Sequence, residues 1–149
     1  MRPLRTIAVL LLTLMCAACS ETPEQGIKVN NGWIRLPVAE GKMTAGYITI
    51  SNFSEAPVSI TRVSSAAFER IEIHTMSMQD GMMRMRPVDS LTLAAGERIE
   101  LSPNGLHLML HGANPDVTEG QLVPLTLFDG EQPLAELRVP VAAENPHVQ

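Results

Sequence analysis

Residues 106–111 read Leu106-His107-Leu108-Met109-Leu110-His111. Three leucines alternate strictly with three side chains that carry nitrogen or sulfur. Strand side chains point to opposite faces with period two, and a helix would scatter this alternation around its axis. The stretch is therefore expected to be a strand, with its leucines toward a core and His107, Met109 and His111 on the other face. Outward from it, Tyr47-Ile48-Thr49-Ile50 and Arg98-Ile99-Glu100-Leu101 alternate in the same way. Strands are expected at 27–36, 45–52, 58–64, 70–78, 82–88, 98–102, 106–111, 122–128 and 134–141. Asp80-Gly81, Pro103-Asn104-Gly105, Asn114-Pro115 and Asp129-Gly130 supply turns between them. No segment has the pattern of an amphipathic helix, and no internal repeat is visible. The fold expected is all-β, an antiparallel sandwich or small barrel of eight or nine short strands.

The N-terminus is organised differently. Arg2 and Arg5 precede an apolar run from Ile7 to Met15, followed by Cys16-Ala17-Ala18-Cys19-Ser20. A basic head, a short apolar middle and small residues at the exit make up an export signal, too short to be a membrane span. Ala18-Cys19-Ser20 suits a general signal peptidase, and Ala17-Ala18-Cys19 resembles a bacterial lipoprotein box in which Cys19 is acylated. The lipoprotein reading is the working expectation, although Cys16 stands where leucine is usual. The expected organisation is a signal at 1–19, a linker at 20–26, one β domain at 27–141 and a loose tail at 142–149. The expected location is the periplasm, with contact to the membrane only through a lipid on Cys19.

Both cysteines of the chain fall in this leader. The mature domain therefore has no disulfide and no thiolate, and Cys16-x-x-Cys19 lacks the strand–helix setting of a redox motif. Two of the 11 basic residues leave with the leader, so nine face 16 acidic ones, a charge of −7 with histidines neutral. Such a surface disfavours nucleic acid and anionic lipid as partners. With only five aromatic residues among 149, the core has to be aliphatic.

The chemistry sits in one stretch. Met76, Met78, Met82, Met83, Met85 and Met109 lie between residues 76 and 109, and His74, His107 and His111 fall in or beside the same stretch. Along 70–78, Ile71 and Ile73 share one face, and His74, Met76 and Met78 the other. Asp80-Gly81 suits a two-residue hairpin turn. In that register Met76 opposes Met85 and Met78 opposes Met83, and His74 becomes a diagonal neighbour of Met85, about 7–8 Å away between backbones. A three-residue turn would send Met85 to the other face. Thioether and imidazole are soft or borderline neutral donors that suit Cu(I). Zinc sites use cysteine, histidine and carboxylate, and blue-copper centres need a cysteine ligand that the domain lacks. A lone methionine in a strand is usually core filler and a lone surface histidine is usually just solvated. That ordinary reading is kept for Met43, Met78, Met82 and His147. For His74, Met85, His107 and Met109 it would require four such donors to meet on open strand faces by accident. Met76 and His111 stand by as auxiliary donors. His111 is four residues from His107, about 13 Å along a strand, too far to share an ion with it easily.

These residues also resemble a family signature. His74 is followed by ten residues and Met85, then twenty-one residues and His107-Leu108-Met109. That spacing is similar to the motif of the periplasmic PCu(A)C-type copper chaperones. The likeness continues through Gly32-Trp33-Ile34-Arg35, the run from Gly46 to Asn52, Met85-Arg86-Pro87-Val88, Pro103-Asn104-Gly105 and Val123-Pro124-Leu125-Thr126-Leu127. The resemblance implies a cupredoxin-like Greek-key fold and Cu(I) held by His74, Met85, His107 and Met109. It also implies delivery of copper to the CuA centre of cytochrome c oxidase subunit II, alongside a Sco-type thioredoxin-like partner. Some relatives carry a tail rich in histidine and methionine that takes Cu(II), whereas the tail here has only His147. Two other classes stay open. One is an immunoglobulin-like surface lipoprotein that uses its methionines as an adhesive patch. The other is a copper enzyme, for which no further histidine cluster is present.

Overall fold

The computed structural model describes residues 26–39 and 41–147. The leader and Cys19 lie outside the described residues. Eleven strands run in chain order: β1 (Ile27–Arg35), β2 (Thr44–Asn52), β3 (Val58–Ile60), β4 (Arg62–Ser64), β5 (Phe68–Gln79), β6 (Met82–Pro87), β7 (Leu91–Leu93), β8 (Arg98–Glu100), β9 (His107–Ala113), β10 (Leu122–Asp129) and β11 (Gln132–Ala142). No helix occurs among the described residues.

The main sheet runs β1-β11-β10-β4-β5-β9-β2-β8, and a further β1–β2 pairing closes its first seven members into a barrel. β1 meets β11 in parallel at Ile34 and Val141, and all the other pairings are antiparallel. Closure removes the unpaired edges that an open sheet would expose. β1 makes the closing turn with a bulge between Asn30 and Trp33. Gly32 sits in that bulge, where any side chain would run into Val139 of β11. β8 extends the sheet beyond β2, and β6 pairs only with the far half of β5, so the β5–β6 hairpin projects from the barrel.

The interior is aliphatic. Leu108 and Leu110 from β9 and Val123, Leu125 and Leu127 from β10 are fully buried, together with Ile34 and Ile48. Each such side chain contributes roughly 1.5–3 kcal/mol on leaving water. Phe68 is the one aromatic residue in this cluster, and Trp33 packs on Tyr47 at 4.9 Å between ring centroids.

Two differences from the expected strands have physical causes. The segment 58–64 is two strands. Val58–Ile60 pairs with Leu91–Leu93 in a separate small sheet, whereas Arg62–Ser64 joins β10 in the barrel. Thr61 marks the switch, its N–H bonding to the Phe128 carbonyl. Leu91-Thr92-Leu93 was not expected as a strand because three residues give alternation too little length to show. The tail also has contacts: the His147 ring lies 3.2 Å from the Gly32 carbonyl oxygen.

Candidate metal centre

The β5–β6 hairpin fixes the parity of the site. Asp80 and Gly81 both have positive φ, at 53° and 75°, as a type I′ turn requires. The pairs behind the turn are Gln79–Met82, Met78–Met83, Ser77–Arg84, Met76–Met85, Thr75–Arg86 and His74–Pro87. Met85 therefore shares a face with His74, and both methionine pairs fall as the sequence register requires. Bonded and non-bonded pairs alternate along an antiparallel ladder. The Val88 N–H bonds to the Ile73 carbonyl at 2.8 Å, so the neighbouring His74–Pro87 pair is a non-bonded one. Proline fits there because no N–H is needed. By the same alternation Met76–Met85 and Met78–Met83 are non-bonded pairs, in which side chains lie closest.

On its other edge β5 pairs with β9, and His74 stands directly opposite His107. The two rings are 5.9 Å apart between centroids and tilted by 54°. Met85 lies one pair toward the hairpin turn, and Met109, opposite Glu72, lies one pair the other way. The two histidines thus form the centre of a row flanked by thioethers. Met76 directly faces Met85.

His107 departs from the open face expected for it, being only 4% exposed. The chain before β9 turns back on itself, with the Ser102 N–H on the Leu106 carbonyl, and sets the Gly105 carbonyl against the His107 ring. His107 Nδ1–H donates to the Gly105 carbonyl at 3.0 Å. That bond fixes the tautomer and leaves Nε2 with its lone pair, as in metal-binding histidines held from behind. Exposure rises from His107 through His74 to Met85, which is 54% exposed. The row is open on its hairpin side.

Glu72 is a residue of this cluster that the sequence reading did not single out. Its Oε2 accepts from His74 Nε2 at 3.2 Å and from His111 Nε2 at 3.0 Å, and Arg70 Nε lies 3.6 Å from Oε1. The hydrogen bond from His74 holds the Glu72 carboxyl below its usual range. Desolvation opposes this, and Arg70 and His111 add to it. The available signal was its position two residues before His74, on the same strand face. With Nε2–H committed to Glu72, His74 has its lone pair on Nδ1. That atom is buried and has no hydrogen-bond partner, alone in this among the buried side-chain nitrogens and oxygens of the described residues. A lone pair left empty in this way costs free energy unless something occupies it. His111 is tied to His74 through Glu72 and does not sit beside His107.

Among the described residues no three His, Cys, Asp or Glu side chains gather where they could hold an ion. Sulfur donors share the strand face of the two histidines instead: the register sets Met76 and Met85 on one side of them and Met109 on the other. Met109 is half-buried and, with Leu36, Val38 and Met43, lines a shallow apolar hollow beside the row.

The domain is thus an all-β barrel with a row of histidine and methionine side chains on one outer face. The model of the family described as "Putative lipoprotein LpqE-like" matches residues 27–141, and the chain belongs to that family. It is 28% identical over 145 residues to "Putative lipoprotein Lxx21020" of Leifsonia xyli subsp. xyli, covering 91% of this chain and 86% of that one. It is also 28% identical over 119 residues to "Uncharacterized protein RP573" of Rickettsia prowazekii, covering 77% of this chain and 66% of that one. Among solved structures, the copper-bound PCuAC domain from PmoF2 superposes with a TM-score of 0.65 at 21% identity, over 80% of this chain and 94% of that domain. The solution structure of CuI-DR1885 from Deinococcus radiodurans gives 0.58 at 21% identity, over 85% and 86%. These likenesses establish the fold as the cupredoxin-like one of PCuAC domains, as the sequence resemblance implied.

Proposed function

We propose that this protein is an exported carrier of Cu(I), which it binds through His74, Met85, His107 and Met109 and releases to a copper-requiring protein. The observation that carries this reading is the facing pair His74–His107. Each ring is held from behind by an oxygen acceptor, each has one nitrogen free, and thioethers lie on both sides. The copper-bound and CuI forms of its structural neighbours support the same cargo.

The donor set suits a carrier. Thioether and neutral imidazole favour the soft monovalent ion. Without thiolate the site cannot be lost to disulfide formation in an oxidising compartment. Neutral donors hold Cu(I) less tightly than thiolates, which helps release. Glu72 orients His74, and the Gly105 carbonyl orients His107, so the two nitrogens are preset before the ion arrives. The exposed Met85 side is where a receiver has access. The receiver in this reading is the CuA centre of cytochrome c oxidase subunit II, with a Sco-type thioredoxin-like protein as co-worker. The domain works in the periplasm, tethered through a lipid on Cys19. Nothing in the donor set calls for turnover, and the role is binding and transfer.

Titration of the mature chain with Cu(I) against a competing chelator, followed by X-ray absorption, tests the assignment. One tightly held ion with mixed sulfur and nitrogen donors is expected. Met85→Leu and Met109→Leu conserve volume and should leave the fold intact. Together they should weaken binding at least tenfold, and a double variant as tight as the parent would sink the site. Anaerobic transfer to a purified CuA-bearing subunit tests the receiver separately.

A further inference from the structure

The proposed carrier site uses one of the four methionines that line the outer face of the β5–β6 hairpin. The other three are Met76, Met78 and Met83. The register sets Met76 against Met85 and Met78 against Met83, and both are non-bonded pairs. Backbones in such pairs approach to about 4.5 Å, and successive pairs on one face are near enough for long side chains to meet. Four thioethers are thereby brought together on unbranched, pliable side chains. The opposite face of the hairpin is mostly polar: Thr75, Ser77, Gln79, Arg84 and Arg86 occupy it with a single methionine, Met82, opposite Gln79, and Arg86 donates to Gln79 at 2.7 Å.

Exposure makes this ladder unusual. Met78 is 66% exposed, Met83 55% and Met85 54%. Core packing cannot account for side chains so open to water. The hairpin stands outside the closed barrel, so its methionines do not fill the interior either.

We propose that Met76, Met78, Met83 and Met85 form a second, outer station for a soft monovalent ion, which receives Cu(I) at the hairpin and passes it inward through Met85. The ion keeps its charge and oxidation state, and no proton moves because thioethers do not titrate. Met85 is common to both stations, so the ion can exchange ligands one at a time, gaining His74 as it leaves Met78 and Met83. The outer station is the weaker of the two because it offers sulfur alone on a solvated ribbon. This inference rests on the carrier reading for its direction of transfer, but not for the existence of the outer site.

The test uses the mature chain with its methionine methyl groups carbon-13 labelled, titrated with Ag(I) as a redox-inert probe and then with Cu(I) under anaerobic conditions. A second binding event is expected, at least tenfold weaker than the first, that shifts the methyl signals of Met76, Met78 and Met83. Met82, which the register places on the opposite face, serves as the unmoved reference. Met78→Leu with Met83→Leu should abolish the second event and leave the first within about threefold. A variant with His74→Ala and His107→Ala should lose the first event and keep the second. If Met78 and Met83 stay unshifted at tenfold excess of either ion, the outer station does not exist and the methionines are an adhesive patch only. If instead the first event survives loss of both histidines, the carrier site is misassigned while the outer station stands.

Discussion

His74 and His111 compete for one carboxylate oxygen, and Glu72 decides what each can do. A histidine whose Nε2–H is spent on Glu72 can offer only Nδ1 to a metal. For His74 that nitrogen is buried and unpartnered beside the His107 pair, whereas His111 lies two pairs away, opposite Arg70. His111→Ala should therefore leave Cu(I) affinity within about threefold, while His107→Ala should lower it by a far larger factor in the same chelator assay. Equal losses would place His111 in the site. Glu72→Gln removes the acceptor that orients His74, and losses of this kind typically run to about 10–100-fold in metal affinity. The same variant has a pH signature in the metal-free protein. The folded-state carboxyl is held below its ordinary value of 4.5, so its stabilising effect is fully present above that value and disappears as pH falls through the lowered one. The urea midpoint of Glu72→Gln should accordingly lie below that of the parent at pH 6, and the gap should close in strongly acidic solution.

At the scale of the element, the hairpin carries the geometry. Gly81 has φ of 75°, which a β-branched residue adopts only under strain of about 1–3 kcal/mol. Gly81→Val should weaken Cu(I) binding by up to about tenfold through loss of hairpin order, with no change in the barrel's own amide spectrum. Asp80→Asn, which improves the turn sequence, should leave binding equal or tighter. The register of this hairpin was legible because Asp80-Gly81 admits few turn types and a slip would have turned Met85 away. The strand 106–111 was legible from the strict alternation of its leucines. Two other features were not. Burial of His107 depends on the chain turning back at 102–106, a contact no periodicity records. The bond from His111 to Glu72 depends on which strand lies beside β5, and β9 is separated from it in sequence by three other strands.

For the whole molecule, the core that gives stability and the proposed metal site lie on opposite sides of the same strands. The aliphatic interior is one cluster, and the ligand row lies outside it. Asn52 ties distant parts of this barrel together. It is 1% exposed, and its Nδ2 donates to the carbonyls of Ala56, Leu93 and Ala94 while Oδ1 accepts from Ser54. Asn52-Phe53-Ser54 has the form of a glycosylation sequon, yet this amide is consumed in holding the end of β2 to the turn before β3 and to β7. Asn52→Ala removes one buried and two partly buried hydrogen bonds of this amide and should cost about 2–3 kcal/mol in urea unfolding. Cu(I) affinity measured well below the unfolding midpoint should be unchanged, because none of these bonds reaches β5, β6 or β9.

The direction in which the strands run has a bearing on how a tethered domain would work. β2 and β5 are each antiparallel to β9, and β1 is antiparallel to β2, so β1 begins at the end of the barrel where β5 finishes. Ile27, the first residue of β1, and the methionine hairpin therefore share one pole. In the proposed reading Cys19 carries the anchor, and only seven residues separate it from Ile27. Under that proposal the methionine pole is the one nearer the lipid surface. If the receiver proposed above is embedded in that membrane, the search for it becomes two-dimensional, and residues inserted between Cys19 and Ile27 should slow delivery even though the binding site is untouched.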